Sequence, residues 1–301
     1  MEDEKLLKYA IYLMNAGNKK EAAKAFMVLV SSKNEEIKLQ AMDALLSILD
    51  QIKDYKVIMT LCDNAINISK TQKRMDNLAY FQMRKASTMS VKIGGWKYVR
   101  KTYKLSPNWF NFSTEEDKQG YKDFDDKIKQ GEKEVDRLCI ESLKNAKVAD
   151  NKKLLGMIYL YRAPIWQNRC SDLKIERMLR TIRFLPECRL KDLLRYNKKD
   201  LKKINQYFSK SISDLFTAIK IFKEIGDKDS VSYCYNNLTN CYLHSYRYVQ
   251  AFFTFKKLES NIKGSKDEEL LRNYEKLKDR LKNRNKNIPN YVDEYKNYMT
   301  T

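Results

Sequence analysis

The residues best suited to reactive chemistry in this chain are one histidine, His244, six cysteines and a dense run of carboxylates between Glu115 and Asp136. As a general base, His244 would need a nucleophile within reach and a carboxylate to orient its ring. Its one cysteine neighbour in sequence is Cys241. The other cysteines, Cys62, Cys139, Cys170, Cys188 and Cys234, are scattered, and none forms a C-x-x-C pair. A zinc site draws on about four nitrogen or sulfur ligands at close spacing, so this pattern points away from zinc. It reads instead as small apolar core residues in a reducing compartment. The carboxylates alternate with lysines, as they do on a solvated helix face, and no acid–base pair stands out. No G-x-S-x-G, phosphate-binding loop or G-x-G-x-x-G is present, and the glycine pair Gly94-Gly95 is accounted for as a helix break. No catalytic residue, metal or cofactor is assigned.

Charge is the stronger signal. The chain carries 59 Lys and Arg against 39 Asp and Glu, a formal net charge of +20. Such a balance draws polyanions and bears on partners rather than on fold. Two stretches concentrate it. Between Asp76 and Glu115 there is no acidic residue, while Arg84, Lys85, Lys92, Lys97, Arg100, Lys101 and Lys104 are interleaved with Tyr80, Trp96, Tyr98, Tyr103 and Trp109. Cations can neutralise phosphates and aromatic faces can stack on unpaired bases, although aromatics at this spacing also serve ordinary helix packing. In the second stretch Lys174, Arg177, Arg180 and Arg183 follow at steps of three, continued by Arg189, Lys191, Arg195, Lys198, Lys199, Lys202 and Lys203. The planar fork of arginine suits carboxylates and phosphates alike. The candidate partner-binding residues are therefore Arg84, Lys85, Trp96, Lys97, Arg100, Lys101, Lys104, Lys174, Arg177, Arg180, Arg183 and Arg195.

The elements that position these residues are helical. With 8 Gly and 4 Pro in 301 residues there is little material for hairpin turns, and strand-like alternation is hard to find. The apolar run Leu154 to Tyr161 is far short of the roughly 20 residues a membrane span needs. The opening "MEDEKLLKYA" is acidic and then amphipathic, unlike a secretory signal. A soluble, cytoplasmic protein with no membrane insertion is expected. Gly94-Gly95 predicts a break between helices in 76–104. Pro107 stops a helix, and Ser113 or Thr114 starts the next. Residues 121–148 read as one charged helix, 151–167 and 171–185 as a pair with a bend or end at Pro164. Trp166 fills the gap that bend leaves. Residues 187–225 read as helical.

Two stretches share a finer pattern. In "YNNLTNCYLHSYRYVQAFFTFKKLE", Tyr235, Leu238 and Tyr242 mark one helix face, and Ala251, Phe255 and Leu258 mark the next. In "LKYAIYLMNAGNKKEAAKAFMVLV", Tyr9, Ala10 and Leu13 lie on a first helix, Gly17 in the turn, and Ala22, Phe26 and Leu29 on a second. Val57 and Leu61 fall 35 residues beyond Ala22 and Phe26, and Ala218 and Phe222 fall 33 before Ala251 and Phe255. This resembles the tetratricopeptide (TPR) repeat, a helix-turn-helix of about 34 residues. The departures are Thr239 where the pattern has Gly, Leu258 where it has a small residue, and no closing Pro.

The resemblance implies an all-α fold, an α-solenoid of stacked antiparallel helix pairs, with about 12 to 14 helices. The division expected is 1–104 as N-terminal repeats, 105–120 as a connector, 121–282 as C-terminal repeats and 283–301 as a polar tail. It also implies a non-catalytic scaffold or adaptor that takes a protein partner, an acidic peptide, helix or domain, in a basic concave groove. The alternative is a solenoid binding RNA or single-stranded DNA through 80–110 and 174–203.

Overall fold

The computed structural model describes the backbone of residues 2–105, 115–184, 190–245 and 247–285. Side chains are described over the same ranges except 98–105, 115–121, 124, 171–172, 174–184, 190–200 and 283–285. Among these residues the chain is all-α, with eleven helices and no strand. They are α1 (Glu2–Asn15), α2 (Lys19–Leu29), α3 (Glu35–Ile52), α4 (Tyr55–Thr71), α5 (Met75–Leu105), α6 (Glu115–Val148), α7 (Lys152–Phe184), α8 (Leu190–Glu224), α9 (Lys228–His244), α10 (Tyr248–Asn261) and α11 (Glu268–Asn285). Consecutive helices pack on one another within two compact units, Met1–Asn151 and Lys152–Thr301. The connector expected over 105–120 lies largely outside the described residues. The helices on either side of it, α5 and α6, belong to the same unit.

In the first unit, the turn after α1 closes on Gly17 at φ +82°, a conformation glycine adopts without steric cost. Asn34 caps α3 by accepting from the Glu36 and Ile37 amides, and Asp54 caps α4 by accepting from Val57 N–H. Ala10, Leu13, Ala22, Phe26 and Leu29 are buried as their spacing required, whereas Tyr9 points outward. Burial of a Phe of this kind stabilises by roughly 1.5–3 kcal/mol. One position departs from expectation. Leu61 is buried as expected but Val57 is 40% exposed, and Ile58 and Cys62, 36 residues beyond Ala22 and Phe26, are fully buried. The tight α3–α4 turn holds Lys53 at φ +61°, and the packing of α4 buries Ile58 rather than Val57.

The predicted break at Gly94-Gly95 does not occur, and α5 runs through both glycines. A helical glycine costs only about 1 kcal/mol relative to alanine, and α5 recovers this by packing along α6. Ile93 and Trp96 flank the pair, and both meet Gly131 of α6. Ser142 Oγ donates to the Ala79 carbonyl at 2.8 Å, Asn145 donates to Gln82 Oε1 and Gln82 Nε2 to Glu141. These contacts fix α5 and α6 as an antiparallel hairpin.

In the second unit, the helix does not end at Pro164, and 151–167 and 171–185, expected as a pair, belong to a single helix of 33 residues, α7. Proline lacks the N–H that would donate to the Leu160 carbonyl, a local loss of about 3 kcal/mol. The long contact with α8 offsets it. Gly156 lets the helices close, since a Cβ there would sit 2.8 Å from Cε1 of the fully buried Phe222. Trp166 therefore fills no gap; it is buried between two continuous helices. Of the stretch 187–225 expected to be helical, Leu190–Glu224 forms one helix, α8, and 187–189 lie outside the described residues. Asp227 caps α9 through Ser230 N–H. Tyr235, Leu238, Tyr242, Ala251, Phe255 and Leu258 are all buried in one core with Ala218 and Phe222. Thr239 is fully buried too, and its hydroxyl donates to the Tyr235 carbonyl at 2.8 Å, so it packs at the glycine position without an orphaned polar group.

Candidate binding surface

Among the described residues no group of three or more His, Cys, Asp or Glu side chains could hold a metal ion, and no helix is long and apolar enough to cross a membrane. Cys62, Cys139, Cys170, Cys234 and Cys241 are free and buried. Burial pushes the Cys62 and Cys234 thiols up to about 12, so their nucleophilic thiolate is scarce near neutral pH. His244 is exposed at the last turn of α9.

The first group of predicted partner-binding residues is drawn into the fold. Arg84 pairs with Asp50 of α3 at 2.7 Å, Lys85 with Asp63 of α4 at 2.6 Å, and Lys97 with Glu132 of α6 at 2.6 Å. Their side chains keep only 15%, 15% and 10% exposure. Trp96 is half-buried, with the Lys92 ammonium 5.2 Å from its ring. Arg84, Lys85 and Lys97 thus bind α5 to its neighbours and have carboxylates of their own. Arg100, Lys101 and Lys104 lie on α5, and their side chains are outside the described residues.

The second group follows α7 and α8. Lys174, Arg177, Arg180 and Arg183 lie on α7 and Arg195 on α8, again with side chains outside the described residues. Described contacts set the direction of the two helices. Arg162 forks onto Asp214, Gln167 Nε2 donates to Ser211 Oγ at 3.1 Å, and the Cys170 thiol meets the Ile204 carbonyl at 3.4 Å. As α7 advances, α8 recedes, so the pair is antiparallel. The chain leaves α7 and enters α8 through segments rich in cations.

The two long hairpins differ in charge balance. Helices α5 and α6 together hold 15 Lys and Arg against 11 Asp and Glu, a net +4. Helices α7 and α8 hold 17 against 6, a net +11, more than half of the whole chain's excess.

A cluster that sequence reading did not assemble stands midway along α7–α8. Trp166 and Tyr207 stack with centroids 6.1 Å apart and planes 9° apart. Lys210 sits 5.0 Å from the Trp166 ring centroid, Arg169 5.1 Å and Arg162 6.0 Å. The only described carboxylate bonded here is Asp214, which is buried. It accepts both from the Arg162 guanidinium, at 2.8 and 2.5 Å, and from Trp166 Nε1 at 2.9 Å. The legible part was Arg162, Trp166 and Arg169 at i, i+4 and i+7, one helix face. The partners from α8 lie 38 to 52 residues away and left no local signal.

No protein-family model matches this chain, and no curated protein matches it.

Proposed function

We propose that this protein is a non-catalytic helical-repeat scaffold, its helix pairs stacked as a TPR-like solenoid, that binds an acidic protein partner. The binding face is the basic α7–α8 hairpin. The repeat reading is supported by helices packing in sequence order and by the equivalent burial of Ala218, Phe222, Ala251 and Phe255 at a spacing of 33 residues. The observation that carries the binding face is its net +11, uncompensated within the hairpin, in contrast to an α5–α6 hairpin whose best-described cations are already paired. Electrostatic complementarity of this size steers and selects an anionic partner.

Nucleic acid is the competing partner, since the same cations could neutralise phosphates. The aromatic arrangement favours protein. Trp166 is buried and stacked on Tyr207, which leaves no open ring face for an unpaired base.

The test is affinity purification from the source cells with the wild type and with R177E/R180E/R183E, each with and without nuclease, after circular dichroism has matched their helix content. A protein retained through nuclease treatment by the wild type and lost from the variant supports the proposal. Bound RNA or DNA whose affinity falls log-linearly with salt, with no protein surviving nuclease, overturns it.

A further inference from the structure

The Trp166–Tyr207 cluster holds one cation that is not matched to any carboxylate described. Lys210 is exposed, and the contacts of its ammonium are the two rings, at 5.0 Å from Trp166 and 5.9 Å from Tyr207. Arg162 is committed differently: its guanidinium is held in a bidentate grip by Asp214, which also fixes the indole through Nε1. That single carboxylate charge is therefore matched to Arg162. Whatever else Arg169 meets, Lys210 adds a positive charge to a site already ringed by guanidinium groups.

We infer that Lys210, perched on the Trp166–Tyr207 ring pair, is a specific seat for a side-chain carboxylate of the partner protein. This rests on the acidic-partner reading of the α7–α8 hairpin and sharpens it to one position. Three features build the seat. The rings remove water from one side of the ammonium, which strengthens its attraction for an anion arriving from the other. Asp214 locks Trp166 and Arg162, so the floor beneath Lys210 is already in place before the partner arrives. One uncommitted monovalent cation is also a better match for a monoanionic carboxylate than for a doubly charged phosphate. The Cys170–Ile204 contact lies on the side of the cluster that leads into the basic segments. A partner seated on Lys210 could thus continue along Lys202 and Lys203 of α8.

The experiment uses the full chain and a fluorescein-labelled peptide of eight glutamates, with anisotropy as the binding readout. The substitution K210M keeps an unbranched apolar side chain of similar length and removes the charge. The seat predicts about tenfold weaker peptide binding by K210M with an unchanged unfolding temperature, and a lesser effect of K220M, on the same helix. In W96F/W109F, where Trp166 is the only tryptophan, peptide binding should shift the emission, and K210M should abolish the shift. Peptide binding that is equally tight in K210M, with Trp166 silent, overturns the seat and leaves the basic-hairpin reading standing. No peptide binding by the wild type, or binding unaffected by R177E/R180E/R183E, overturns that reading and the seat with it. An emission shift produced by inorganic phosphate at lower concentration than by the peptide overturns the assignment of a carboxylate.

Discussion

The α5–α6 and α7–α8 hairpins share one plan. Each joins two helices of more than thirty residues in antiparallel contact, each runs through a residue that ordinarily interrupts helices, and each has a glycine where the helices approach closely. They part in what they do with charge. Along α5–α6, Lys97 reaches Glu132, Gln82 reaches Glu141, and Arg137 of α6 bonds both Glu134 and Glu141. Along α7–α8 the described carboxylates that bridge the helices are the buried Asp214 and the exposed Glu224, which meets Lys152 at 3.5 Å, and cations outnumber acids nearly threefold. The same architecture thus ties its charges together in one case and carries a large excess of positive charge in the other. Net charge alone does not separate the two hairpins, because +20 is a sum over the whole chain.

The most direct way to break the comparison is at Asp214. Replacing it with alanine removes the carboxylate that grips the Arg162 guanidinium, whose side chain is 18% exposed, and that accepts from the buried indole N–H. Removing one partner of a buried pair costs about 3 kcal/mol or more, to be read as a fall in the denaturant midpoint. The parallel cut in the other hairpin, K97M, should cost only about 1 kcal/mol, because Glu132 is 35% exposed and can rehydrate. Equal losses in the two would mean the hairpins are held alike. Next in size is the binding contrast. R177E/R180E/R183E should weaken an acidic partner about thirtyfold, near 2 kcal/mol, and lower the salt sensitivity of the binding that remains. R84E should instead lower the unfolding temperature through repulsion with Asp50 and leave partner affinity within about twofold.

The glycines sharpen the packing side. G156A drives a methyl against Phe222 Cε1 and Cζ at 2.8 and 2.9 Å, and that ring is fully buried. Overpacking of about 1–3 kcal/mol outweighs the helix-propensity gain of about 1 kcal/mol, so a net loss near 1 kcal/mol is expected. G131A meets Ile93 Cδ1 at 2.8 Å, the far end of a flexible side chain that can turn aside. There the propensity gain should win, and the midpoint should stay level or rise.

The smallest effect is in acid. Hydrogen bonding to Arg137 holds the Glu134 carboxyl below the usual carboxylate range, with the guanidinium charge adding to it. A carboxylate depressed in the folded state contributes stability that is complete above its unfolded value near 4.3 and fades as pH falls through the folded one. For a partly exposed pair this is about 0.5 kcal/mol. The difference in stability between wild type and E134Q should therefore be present at pH 6 and shrink below pH 4 in pH-resolved denaturation.

Much of the core was legible from local spacing. Ala22 with Phe26 and Ala251 with Phe255 are at i and i+4, so any helix places each pair on one face, and an amphipathic helix buries that face. The interruptions were not legible. Gly94-Gly95 and Pro164 carry local penalties of about 1 to 3 kcal/mol, which a short helix would not survive. Contact along a partner helix is a non-local gain that no window of sequence displays. In α4 the expected Leu61 is buried, but Val57 was misplaced for a related reason, since packing buries Ile58 and leaves Val57 exposed.

The basic residues divide along the same line. Composition and spacing determined by themselves that the chain is helical, strongly cationic and richest in arginine from 174 to 195, because those properties reside in single residues and their near neighbours. Only the tertiary structure decided which described cations are spent. Arg84, Lys85 and Lys97 meet carboxylates 34, 22 and 35 residues away, and Lys210 meets Trp166 from another helix. An ion pair is a fact about distance in space, and the packing of helices sets that distance.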